Sequence, residues 1–95
     1  MESWKAERAA QSARRRIRAE LQRRGLPPDP QECGSSDLPS PAQALQHSLW
    51  LCDTIREHVE MGELDEAYNA LGFVQGILWA MRCADLHLLR SDLEG

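Results

Sequence analysis

Six arginines, Arg14, Arg15, Arg16, Arg18, Arg23 and Arg24, crowd one short stretch near the start of the chain. Several cations on one element can neutralise phosphates, pair with an acidic patch on another protein, or pair within the chain. Trp4 is the one aromatic near them, so base stacking has little to work with. The other reactive types are sparse. Cys33, Cys52 and Cys83 stand 19 and 31 apart, with no CxxC pair. His47, His58 and His87 share no zinc-like spacing with them, and His47 and Cys52, five apart, fall on different helix faces. The carboxylate pairs Glu57/Glu60 and Asp65/Glu66 have the spacing of a solvated helix face and of a helix N-terminus, rather than of a general acid and base. Gly72 and Gly76 sit inside an expected helix, so no glycine loop cradles phosphate. We expect no catalytic residue, no metal, no cofactor and no enzyme.

The elements that position these residues are helices. Residues 4–24 contain neither Gly nor Pro and are rich in Ala, Arg, Glu, Gln and Leu. Gly25 provides a C′ position and Leu26-Pro27 a stop. Ala6, Ala10, Ala13, Ile17 and Leu21 recur at helical spacing, a thin stripe that needs a docking surface to hold an isolated helix. All five prolines lie within residues 27–41, so residues 26–39 read as an extended linker between a basic arm, 1–25, and a body, 40–95. Ser40, Pro41 and Gln43 make an N-cap, N1 and capping box for a second helix reaching about Met61, with Gly62 as its C′ residue. Leu45, Leu49, Cys52, Ile55 and Val59 share its apolar face. Gln46, Asp53, Glu57 and Glu60 lie opposite, with Trp50 out of place among them.

The short Gly62-Glu63 turn predicts an antiparallel third helix from Leu64 to about Arg82. Ala67, Leu71 and Val74 point inward, but Leu71–Met81 is apolar around nearly its whole girth, which implies burial on every side. Gly72, Gly76 and Ala80 repeat every four residues and make a flat groove, although each helical glycine costs about 0.5–1 kcal/mol relative to alanine. Phe73, Ile77 and Trp79 flank that groove; Leu71, Val74, Leu78 and Met81 form the other side. Helix 2, a short last helix capped by Asp85 (Leu86, Leu89 and Leu93 on one face), the folded-back arm, or a second copy could fill it. A lone hairpin of this size builds a poor core, which favours a homodimer with a four-helix core. The fold class is all-α.

Charge divides the chain. Eight of its 11 basic and three of its 15 acidic side chains lie in residues 1–24, giving that arm +5 and the remainder −9. The 95 residues exclude a two-domain enzyme, and the longest apolar stretch is too short to span a bilayer. The odd cysteine count and the lack of an apolar leader point to a reducing cytoplasm.

Gly62–Tyr68 followed by Leu71-Gly72-Phe73-Val74-Gln75-Gly76-Ile77-Leu78-Trp79-Ala80-Met81 resembles small accessory proteins of tailed bacteriophages and prophages, in which a helical hairpin carries an LGFxQGxLWA-like core before a Leu-rich final helix. The resemblance covers roughly residues 43–93. It departs at Arg82-Cys83, where a glycine-containing turn is more usual. It implies a setting in a bacterial host cell and a non-catalytic role: binding, and inhibiting or redirecting, a host protein such as a defence factor or nucleic-acid-processing enzyme. Trp50, Asp53, Glu57 and Glu60 are the expected partner-binding residues. The alternative is a regulator that binds nucleic acid through the six arginines.

Overall fold

A computed structural model describes residues 2–34 and 38–94; Met1, residues 35–37 of the expected linker, and Gly95 lie outside the described residues. Among these, the chain is all-helical: α1 (Ser3–Arg23), α2 (Pro41–Glu60), α3 (Leu64–Ala80) and α4 (Leu86–Glu94). The helix ends follow local chemistry. Ser40 Oγ accepts from Gln43 N–H at 3.2 Å while Gln43 Oε1 accepts from Ser40 N–H at 2.9 Å, completing the capping box on α2. Asp85 Oδ1 accepts from Leu88 N–H at 2.8 Å at the start of α4. Gly25 and Gly62 end α1 and α2 at φ 70 and φ 76. In both, the residue after the glycine donates back five positions, Leu26 N to Leu21 O at 2.9 Å and Glu63 N to His58 O at 2.8 Å. The end of α3 repeats that geometry without glycine: Arg82 takes φ 61 and Cys83 N–H reaches Leu78 O at 2.8 Å.

Two linked clusters form the core. Ala13, Ile17 and Leu21 of α1 meet Leu45, Leu49 and Cys52 of α2, Val74 and Leu78 of α3, and Leu89 of α4. Ala9 and Ala10 meet Ile55, Ala67 and Leu71. Thus the start of α1 lies by the α2–α3 turn and its end by the start of α2, so α1 runs antiparallel to α2 and parallel to α3. Alanine makes this docking close, since Ala6, Ala9 and Ala13 are at most 1% exposed. The radius of gyration, 12.5 Å, agrees with the about 12.4 Å expected of one compact unit of this length.

Two expectations change here. The third helix of the core is the chain's own arm, so a second copy is not needed to complete that core. And α3 is not buried around its girth: Leu71, Val74 and Leu78 are buried and Ile77 half-buried, but Gly72, Phe73, Gly76, Trp79 and Ala80 are exposed. The cause is position, since α1 lies behind α3 while α2 and α4 flank it, which leaves the sector from Phe73 to Trp79 open. Nothing outside α3's own backbone and immediate chain neighbours lies within 4 Å of where a Cβ would stand on Gly72 or Gly76, so no other helix of the chain fills the groove.

The linker is fastened along α2. Gln31 N–H donates to Gln46 O at 3.1 Å, Gln46 Nε2 to Pro27 O at 3.3 Å, and Cys33 N–H to His47 Nδ1 at 3.0 Å. No helix among the described residues is long and apolar enough to cross a membrane.

Candidate protein-binding surface

The outer side of α3 is a groove with a floor of small residues and aromatic walls. At 100° per residue, Phe73 and Trp79 stand about 120° apart around the helix, with Gly76 midway between them. Phe73 is 52% exposed and Trp79 55% exposed. The Phe73 wall continues onto α2. The His47 ring meets Phe73 edge-on, 5.9 Å between centroids, and stacks on Trp50 at 5.5 Å. Because His47 Nδ1 accepts the Cys33 N–H, its ring proton belongs on Nε2, and the linker sets its orientation. The Trp79 wall continues onto α4. Gly76, Trp79, Leu86, Arg90 and Leu93 line a cleft of about 200 Å³, and Trp79, Arg82, Asp85 and Leu88 border a second depression. Leu86, expected on the inner face of α4, is 50% exposed.

The expected partner-binding set is only partly assembled. Trp50 is half-buried, stacked on His47 beside the linker rather than free as an anchor. Asp53 turns toward α1 and binds Arg14. Glu60 lies 3.4 Å from Arg56, leaving Glu57 exposed on the outer flank with no ion-pair partner among the described residues. The acidic face is therefore not one continuous patch, because its α1-facing edge is neutralised within the chain.

The arginine cluster is divided in the same way. Arg16 Nε donates to Asp92 Oδ2 at 3.0 Å, and this bond, opposed in part by burial, raises the guanidinium's pKa. Arg23 and Arg24 both grip Glu20; these two hydrogen bonds, Arg23's first, pull its carboxyl from 4.5 down to about 2. Arg15 reaches only Ser12 Oγ, at 3.1 Å, and Arg18 is exposed with no ion pair among the described residues. Burial pushes the Cys52 thiol from 9.0 up to about 11 and the Cys83 thiol upward too, so neither gains nucleophilicity from its surroundings. Among the described residues no group of three or more His, Cys, Asp or Glu gathers as a metal site.

Between α1 and α2 a further cleft of about 220 Å³ is lined by Glu7, Gln11, Arg14, Arg56 and Glu60 over a floor of Ala10 and Cys52. Its guanidinium groups already bind carboxylates, Arg14 to Asp53 and Arg56 to Glu60.

Sequence reasoning placed Phe73, Gly76 and Trp79 together but missed the contributions of His47, Leu86, Arg82 and Arg90. The spacing of His47 three residues before Trp50 was the available signal for the first. Comparison with protein-family models, with curated proteins and with solved structures finds no match to this chain.

Proposed function

We propose that this chain is a non-catalytic protein-binding module of the bacterial cytoplasm that acts through the aromatic surface running from Trp50 over His47 to Phe73 and Trp79. One observation carries the reading: Phe73 and Trp79, about half exposed, wall a glycine floor that nothing else among the described residues covers. Large apolar side chains held open on a rigid helix are what protein interfaces use as anchors, and two helical glycines are retained there at a cost to helix stability. The resemblance to phage accessory proteins supplies the setting, in which the partner is a host protein that the module inhibits or redirects. The outer face of α3 is also open to a second copy of the chain.

The test is affinity capture from bacterial lysate, followed by titration of the purified captured protein. Wild-type chain is expected to bind, with Phe73→Ala and Trp79→Ala each weakening the affinity at least tenfold, about 1.4 kcal/mol. Unchanged affinity in both variants refutes this surface. The nucleic-acid alternative retains Arg15 and Arg18 as free cations, because the other four arginines are held by Asp53, Asp92 and Glu20. The arm is part of the core, so that alternative is tested by Arg15→Glu with Arg18→Glu rather than by deletion. A salt-dependent retention on DNA or RNA that this double variant abolishes supports it.

A further inference from the structure

We infer that a second copy of this chain docks on the outer face of α3, the two α3 helices crossing antiparallel about a two-fold axis between Gly72 and Gly76. This rests on reading that face as a binding surface and names one occupant for it. The charges at its two ends select the arrangement. Asp65 and Glu66 are exposed at the N-terminal end, and Arg82 is exposed just past the C-terminal end; none has an ion-pair partner among the described residues. Arg90 adds a second exposed cation on the α4 side of the groove. Asp65 and Glu66 lie eight or nine residues before Val74, and Arg82 lies eight after it. At about 1.5 Å per residue both ends are therefore about 12–14 Å from the same midpoint. A two-fold axis at that level, perpendicular to the helix, sets each Arg82 against Asp65 and Glu66 of the partner subunit, at both ends at once. A parallel pairing sets like charges together.

The exposed apolar area also suits a second copy. Phe73, Trp79 and Leu86, each about half exposed, together with the small-residue floor leave roughly 400 Å² of apolar surface, taking 150–250 Å² for a fully buried aromatic side chain. A standard interface takes about 800 Å² from each partner, a little over half of it apolar. The same axis brings the two Phe73 rings together across the crossing, while the glycine floors let the backbones approach. Arg82 supports the assignment independently. It holds a left-handed backbone at φ 61 where glycine would serve with less strain, and it borders the depression next to Trp79.

The experiment is sedimentation equilibrium on the full chain and two charge-reversed variants, Arg82→Glu and the pair Asp65→Arg with Glu66→Arg. All three positions are exposed, and circular dichroism checks that each variant remains helical. Wild type is expected to dimerise, each variant alone to dissociate at least tenfold more readily, and an equimolar mixture of the two variants to recover the wild-type constant within threefold. The weakening of each variant alone, with recovery to the wild-type constant and not beyond it, marks the antiparallel arrangement. In a parallel pairing wild type and both variants all set like charges together, so neither variant would bind more weakly than wild type and their mixture would bind more tightly. A wild-type chain that stays at 10.8 kDa up to about 1 mM overturns the inference, as does a mixture no tighter than its components. If the chain stays monomeric while Trp79→Ala still disrupts capture of a bacterial protein, self-docking fails and the protein-binding reading stands.

Discussion

Cys52 sits on the seam between α1 and α2 with 2% of its surface exposed, and burial raises its thiol from 9.0 to about 11. The folded state thus favours the neutral thiol more than the unfolded chain does. This contribution to stability is fully present below pH 9 and is lost as the pH rises from 9 toward 11, where unfolded chains ionise first. The wild-type chain is expected to lose stability across that window more steeply than Cys52→Ala, as measured by urea unfolding at a series of pH values. Equal slopes would show that the thiol is solvated. The cavity left by the substitution lowers stability at every pH and does not alter the slope. Arg82 poses the reverse question at the same scale. Its counterparts Gly25 and Gly62, which end α1 and α2, show what an unstrained version of the same helix ending looks like. An arginine there makes sense where the guanidinium has work outside the turn.

At the scale of the helix, α3 divides into an inner side that the fold uses and an outer side that it does not. Leu71, Val74 and Leu78 are at most 1% exposed, and a Cβ on Gly72 or Gly76 would meet only α3 itself and open space. Replacing either glycine by alanine therefore removes a helix penalty without creating a clash. Gly76→Ala is expected to raise thermal stability by about 0.5–1 kcal/mol. If the floor receives another backbone, the same substitution weakens association, because the added methyl group stands where that backbone would pass. Melting followed by circular dichroism and sedimentation on the same preparation separate the two effects. A stability gain with undiminished association would mean that nothing docks closely on the floor. Helix boundaries were legible in the sequence because they are local: Ser40 with Gln43, Gly25, Gly62 and Asp85 each act within a turn. The exposed side of α3 was not legible. Periodicity marks the inside of a helix by contrast with a polar outside, and Leu71–Met81 offers no contrast. The linker contacts were hidden as well, since Gln31, Pro27 and Cys33 engage α2 chiefly through backbone groups, which leave no side-chain pattern.

For the molecule as a whole, the decisive fact is that the basic arm is structural. A helix whose stripe is mostly alanine looks too weakly apolar to belong to a core. Alanine instead lets α1 approach α2 and α3 closely, so that Ile17 and Leu21, both 0% exposed, reach the centre beside Leu45, Leu49 and Leu78. The arginines on its other faces reinforce the docking, Arg14 on Asp53 and Arg16 on Asp92. Charge asymmetry along the sequence, +5 against −9, thus becomes attraction within one body rather than a basic tail held out for a partner. This predicts the behaviour of a truncated chain. Without residues 1–25, Leu45, Leu49, Val74 and Leu78 lose their cover, and the remaining hairpin with α4 falls in the size range where a core seldom holds unaided. A chain of residues 26–95 is expected to lose cooperative unfolding and most of its helical signal. In the full chain Ile17→Ala is expected to cost about 2–5 kcal/mol. Circular dichroism against temperature tests both. A sharp melting transition in the truncated chain would show that the hairpin carries its own core and the arm is an appendage. Should the hairpin instead recover structure at high concentration, two copies would be covering for one another what α1 covers within the single chain.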